Sequence, residues 1–185
     1  PRSPFAELIQ EAFEPWCTGQ PINHILDLCC GSGCMAIASA YAFPYCAITA
    51  VDIEEGAIEV AQTNVEKHQI EDLVEVIQSD LFSELSGRRY DVILSNPPYV
   101  DAIDLNDLPY EFEYEPKKAL VGGEDGLDVV RRILREARNY LSDEGVIFIE
   151  VGNSQYALMA AYPEIPFTWL EFERGGDGVC MLTAE

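Results

Sequence analysis

Short apolar runs alternate along this chain with longer stretches in which apolar positions recur every three or four residues. Residues 3–16 carry Phe5, Leu8, Ile9, Ala12 and Phe13 at helical spacing and stop at Pro15-Trp16. A turn at Gly19-Gln20-Pro21 precedes a first strand, His24-Ile25-Leu26-Asp27-Leu28. A glycine turn then opens a helix from about Cys34 to Ala42. The run Ala47-Ile48-Thr49-Ala50-Val51-Asp52 reads as a second strand. Residues 54–68 read as a helix, with Ala57, Ile58, Ala61 and Val65 on one face. Third and fourth strands fall at 74–77 and 90–95. An irregular stretch covers 97–125, then a helix 127–141 and a fifth strand 146–151. A short helix near 155–162 leads to two strands, 167–172 and 178–183, joined by Gly175-Gly176-Asp177.

Strand–helix alternation predicts an α/β fold, a parallel sheet covered on both faces with right-handed crossovers. The final pair must be antiparallel, because so short a turn cannot carry a crossover. No internal repeat or low-complexity tract interrupts the pattern. The expected organisation is an N-terminal arm over 1–20 and a catalytic domain over 21–185.

Composition narrows the classes. The 185 residues are 48% apolar, enough to bury a core without disulfide or metal staples. No apolar run reaches the length of a membrane span, and Pro1-Arg2-Ser3-Pro4-Phe5 lacks the layout of a signal peptide. Eleven basic against 33 acidic residues give a net charge of −22. A nucleic-acid binder needs a cationic face to displace counterions, so the charge argues against DNA or RNA and for a basic protein partner. The cysteines at 17, 29, 30, 34, 46 and 180 form no Cys-x-x-Cys pair, and His24 and His68 are the available imidazoles. Free thiols in a reducing cytoplasm and no metal site are expected.

Two constellations carry chemistry. The first is Asp27-Leu28-Cys29-Cys30-Gly31-Ser32-Gly33-Cys34, between strand one and its helix. Glycines there let a ligand approach the backbone, and the helix N-terminus offers free N–H groups. Asp52 ends strand two, where an acid can accept hydrogen bonds from ribose hydroxyls. Asp80, after strand three, would line the same crevice. A dinucleotide-binding turn would also explain these residues. The second constellation is Asn96-Pro97-Pro98-Tyr99, after strand four. Its prolines remove backbone donors and stiffen the loop, leaving the Pro97 carbonyl as an acceptor. Asn96 adds a side-chain carbonyl and Tyr99 an aromatic face, a set suited to a planar –NH2 group.

With these residues in place, the chain resembles class I S-adenosylmethionine-dependent methyltransferases acting on amino groups. Ala119-Leu120-Val121-Gly122-Gly123-Glu124-Asp125-Gly126-Leu127 narrows the resemblance to the protein-glutamine N5-methyltransferases. Arg2-Ser3-Pro4, Phe167-Thr168-Trp169-Leu170-Glu171-Phe172 and Gly175-Gly176-Asp177-Gly178-Val179 look most like the branch acting on ribosomal protein L-three. The resemblance spans essentially the whole chain. It implies a Rossmann-like, seven-stranded, mostly parallel sheet with an antiparallel C-terminal hairpin. Two features depart from the family pattern. Cys29 and Cys30 stand where a Gly and a Thr are more usual, and a β-carbon at 29 narrows the approach to the methionine moiety. The N-terminal helical domain that family members carry is expected to be missing from a trimmed chain.

The resemblance also implies roles. S-adenosyl-L-methionine, leaving as S-adenosylhomocysteine, would meet Asp27, Gly31 and Gly33 at its methionine end, Asp52 at the ribose, Asp80 at the adenine amine, and Asn96. Asn96, Pro97, Pro98 and Tyr99 would bind the substrate amide, with Asn96, Pro97 and Tyr99 catalytic. The six acids between 101 and 115 would guide a basic ribosomal protein. Release-factor glutamine methylation is the nearest alternative. A DNA adenine N6-methyltransferase shares the tetrapeptide but sits badly with the charge. An NAD-dependent dehydrogenase leaves Asn-Pro-Pro-Tyr unexplained, and a silent binding subunit is the remaining class.

Overall fold

A computed structural model describes residues 3–100 and 122–184. Seven strands form one sheet: β1 (His24–Leu28), β2 (Ala47–Asp52), β3 (Val74–Gln78), β4 (Tyr90–Ser95), β5 (Leu141–Glu150), β6 (Thr168–Trp169) and β7 (Val179–Thr183). Their order is β3-β2-β1-β4-β5-β7-β6. The first five are parallel, and β7 runs antiparallel to both β5 and β6. The parallel sheet with its antiparallel C-terminal hairpin is thus borne out. The strand order reverses between β1 and β4, which opens a crevice at their carboxyl ends.

Alternation within the strands distributes the core. Ile25, Ile48, Ala50, Val92, Leu94, Val146 and Phe148 pack on one face, with α1 (Phe5–Gln10), α2 (Cys34–Ala42) and α3 (Glu55–His68). Leu26, Leu28, Val51, Ile93, Ile147 and Ile149 pack on the other, with α4 (Asp128–Glu136) and α5 (Gln155–Ala161). A sheet buried on both faces needs near-continuous apolar strands, which is what the sequence supplies. No helix among the described residues is long and apolar enough to cross a membrane.

Several boundaries differ from expectation for physical reasons. The first helix stops at Gln10, because Ala12 and Phe13 adopt left-handed backbone with φ of 53° and 60°. Phe13 is nonetheless buried, stacked between Phe43 and Phe148 at centroid distances of 5.4 and 5.7 Å. The arm is therefore packed into the domain. β5 starts at Leu141 rather than 146, because Leu141 pairs with Tyr90 before the register shifts. A side chain at Gly145 would come within 2.8 Å of the Tyr90 carbonyl, so this polar-looking stretch must be glycine there to lie in the sheet. The helix expected over 127–141 gives way to a 3-10 turn at Ala137–Asn139, and β6 is only two residues long. The acidic residues between 101 and 115 lie outside the described residues, as do Arg2 and residues 119–121 of the family-like stretch.

Candidate active site

Parallel register brings the strand ends to one rim. Leu28 lies beside Val51 on one side and Ser95 on the other, and Ser95 lies beside Ile149. Cys29 and Asn96, the residues that follow, therefore leave their strands beside Glu150, the last residue of β5.

Asp27 is the penultimate residue of β1 and is fully buried. Its Oδ2 accepts the Ala36 N–H at 2.9 Å, which satisfies an orphan donor in the first turn of α2. Gly33 precedes that helix with φ 75° and no side-chain cap, so Asp27 does the capping from the strand. Its Oδ1 has no hydrogen-bond partner among the described residues. Burial pushes Asp27 up to about 7; the Ala36 N–H opposes this and Asp52 adds to it.

Asp52 ties the rim together. Its Oδ2 accepts the Gly31 N–H at 2.9 Å and its Oδ1 the Glu54 N–H at 3.0 Å. Each carboxylate oxygen keeps a second lone pair for another donor. Gly31 has φ 53°, and a side chain there would meet nothing within 4 Å, so open space lies over the turn. Gly33 is tighter, since a Cβ there would sit 3.2 Å from the Ala61 side chain. Cys29 has φ 65°, a left-handed backbone that favours glycine, and burial pushes its thiol up to about 12.

Asp80 follows β3 and accepts from Arg132 of α4, Nη2 to Oδ1 at 2.9 Å, an exposed pair across the crevice. Sequence reading placed Asp80 at the rim but gave no hint of its cation. A cleft of about 550 Å3 opens there, lined by Ile53, Gln78, Ser79 and Asp80 and running down to Glu75 and Arg88. It shares Asp80 with the rim, but neither Asp27 nor Asn96.

Asn96-Pro97-Pro98-Tyr99 leaves β4 in irregular backbone, with Pro97 buried and the others half-buried. Its far end is held from several sides. Ser154 donates to the Tyr99 carbonyl at 2.9 Å, and the Tyr99 hydroxyl donates to Glu150 Oε1 at 3.1 Å. The Gly122 N–H donates to the Val100 carbonyl at 2.9 Å. Gly126 leaves no room for a side chain, since a Cβ would sit 2.3 Å from the Tyr99 carbonyl and 2.2 Å from Ser154 Oγ. Within the Gly122–Gly126 stretch, which narrowed the family, Gly122 and Gly126 thus buttress this loop. Glu150 and Gly152 were missed at the sequence level. The only available signal was an acid ending a fifth apolar strand, followed by glycine.

The family model of the methyltransferase small domain matches residues 8–112. A ribosomal protein uL3 glutamine methyltransferase of Francisella tularensis is 54% identical over 99% of the chain. One of the same name from Xanthomonas campestris is 45% identical over 97%. The chain spans 59% and 58% of those relatives' length. An RNA methyltransferase of Salinibacter ruber, solved with S-adenosylhomocysteine, shares the fold. Its TM-score is 0.61 at 18% identity, covering all of this chain and 92% of the other. The matched region runs from α1 through both constellations, and the chain belongs to the methyltransferase small-domain family.

Proposed function

We propose that this domain transfers a methyl group from S-adenosylmethionine to the side-chain amide nitrogen of a glutamine, in a substrate that is ribosomal protein uL3. The observation that carries the reading is the Asn96–Tyr99 loop, fixed beside the β1–β4 crevice with two carbonyl acceptors and an aromatic ring. The names of the two relatives favour uL3 over a release factor. The net charge of −22 suits a basic protein partner. On this reading 21–185 is the catalytic domain, and the arm docks on it through Phe5 and Phe13.

The residues present fit the cofactor. The partnerless Oδ1 of Asp27 is a buried acceptor suited to an ammonium group, and the space over Gly31 admits a ligand against the backbone. Asp52 would hold the ribose hydroxyls with its remaining lone pairs, Asp80 the adenine amine, and Gly33 the turn beneath. When bound, S-adenosylmethionine supplies an electrophilic methyl group on a sulfonium.

This chain's own part is positioning. An amide nitrogen is a weak nucleophile because its lone pair is delocalised into the carbonyl. The Asn96 side-chain oxygen and the Pro97 carbonyl accept its two N–H hydrogens, which turns the lone pair toward the crevice. Pro98 stiffens the loop and Tyr99 walls the plane of the amide. Positive charge developing on nitrogen faces these carbonyl dipoles. A methylated, positively charged amide is a strong acid and loses its proton to water, so no side-chain base is required.

The test incubates the full-length protein with labelled S-adenosylmethionine and either uL3 or a release factor, and maps the label by mass spectrometry. Label on a uL3 glutamine is the expected result. Label confined to the release factor, or to no glutamine, overturns the assignment. Asp52→Ala is expected to weaken S-adenosylmethionine by about 1–3 kcal/mol, the worth of hydrogen bonds to a charged group. Calorimetry finding unchanged affinity would remove Asp52 from the cofactor site.

A further inference from the structure

Glu150 is nearly buried at the end of β5, among apolar strands, and a carboxylate there needs donors. Among the described residues it has two, one on each oxygen. Oε1 accepts the Tyr99 hydroxyl at 3.1 Å, and Oε2 accepts the Ser3 hydroxyl at 2.7 Å. These donors come from segments remote in sequence, the loop that follows β4 and the arm ahead of α1. Burial pushes the Glu150 carboxyl above its ordinary range, and the two hydroxyls oppose the shift.

The backbone beyond Glu150 continues the same wall. Gly152 adopts φ 48°, and a side chain there would sit 2.6 Å from the Tyr99 ring, so the ring lies against bare backbone. Gly178 closes the other side: a Cβ would fall 2.3 Å from the Gly152 carbonyl, while the Val151 N–H donates to the Gly178 carbonyl at 2.7 Å. Ser154 then holds the Tyr99 main chain. One five-residue segment, Glu150-Val151-Gly152-Asn153-Ser154, thereby grips the ring face, the hydroxyl and the carbonyl of one tyrosine.

We propose that Glu150 is a positioning residue for methyl transfer: it fixes the Tyr99 ring through one oxygen and fastens the N-terminal arm to the same wall through the other. The proposal rests on the reading of Asn96–Tyr99 as the amide site. Glu150 acts through Tyr99, and its loss removes one hold on the phenol and loosens the wall that the ring forms. The gain from holding a reacting amide in one geometry is steep in distance, so a loosened wall costs rate rather than cofactor affinity.

The experiment measures single-turnover methylation of uL3 and S-adenosylmethionine affinity in the full-length protein, for Glu150→Ala, Glu150→Gln, Tyr99→Phe, Ser3→Ala and the Tyr99→Phe/Glu150→Ala pair. Glu150→Ala is expected to lower the transfer rate by about 10–100-fold with cofactor affinity within about twofold. Glu150→Gln keeps a carbonyl acceptor and the side-chain shape, and should recover most of the rate. In the Tyr99→Phe background Glu150→Ala should cost only what Ser3→Ala costs alone, because the hydrogen bond it shared with Tyr99 is already gone. Additive losses, equal rates for Glu150→Ala and wild type, or a Glu150→Gln protein as slow as Glu150→Ala each overturn the proposal. Should Glu150→Ala fail to fold, Glu150→Gln and Tyr99→Phe still decide: both folded and Tyr99→Phe at full rate refutes it. Asn96→Ala run alongside separates the two ideas. An inactive Asn96→Ala with an unimpaired Glu150→Ala sinks the positioning role alone, and a fully active Asn96→Ala sinks the site itself.

Discussion

Asn96→Ala is expected to reduce methyl transfer to a glutamine-bearing substrate by about 10²–10³-fold, the usual cost of deleting one preorganised electrostatic contact in a reacting site. S-adenosylmethionine affinity should stay within a few-fold of wild type. Asn96 follows directly on Ser95, which pairs with Leu28 of β1 and Ile149 of β5, so it is carried at the edge of the rigid sheet. Removing the amide leaves the Pro97 carbonyl as the one remaining acceptor for two N–H hydrogens. The substrate amide can then rotate about that single contact, and its lone pair no longer holds one direction. Because this contact matters most as charge develops on nitrogen, the loss should fall on kcat and kcat/KM together. Single-turnover kinetics and calorimetry on the same preparation check both halves. A variant that turns over at near wild-type rate removes Asn96 from the mechanism.

What could be read in advance followed from local periodicity. Short apolar runs placed the parallel strands, and apolar positions every three to four residues placed α3 and α4. Once strand ends were placed, Asp27, Asp52 and Asn96 fell on one rim, because every parallel strand delivers its carboxyl end to the same side. The misses concern contacts between segments remote in sequence. Glu150 looked like one more position in an apolar strand, and its partners are 51 and 147 residues away. Asp80 was visible as a rim acid, whereas its ion pair with Arg132 depends on how α4 lies over the crevice. Gly122 and Gly126 were noticed as part of a motif, but their reason is steric: Gly126 lies against the carbonyl of Tyr99, which no local pattern encodes. Asp27 was assigned wholly to the cofactor, yet it also caps α2, a role hidden because the cap comes from the strand rather than the residue before the helix.

That double role makes Asp27 the source of a pH-dependent stability. Burial pushes its carboxyl up to about 7, while in the unfolded chain it titrates near 4. Between those values the folded protein holds a proton that the unfolded chain has released. Stability therefore falls as pH rises through this window and levels off above about 7. At ~1.4 kcal/mol per pH unit, the Asp27 contribution amounts to about 4 kcal/mol between the two plateaus. Asp27→Asn cannot ionise, so its urea-unfolding free energy should gain on wild type from pH 4 to about 7 and then hold level. Taking the difference between the two proteins cancels other buried acids such as Glu150. Cofactor binding should work in the opposite sense. An ammonium group beside the partnerless Oδ1 favours the carboxylate, so binding near pH 6 should expel a proton and tighten as pH rises toward 8, by about tenfold. Calorimetry in two buffers of different ionisation enthalpy counts that proton. Parallel stability curves for wild type and Asp27→Asn would refute the buried proton, and binding with no proton released would refute the ammonium contact.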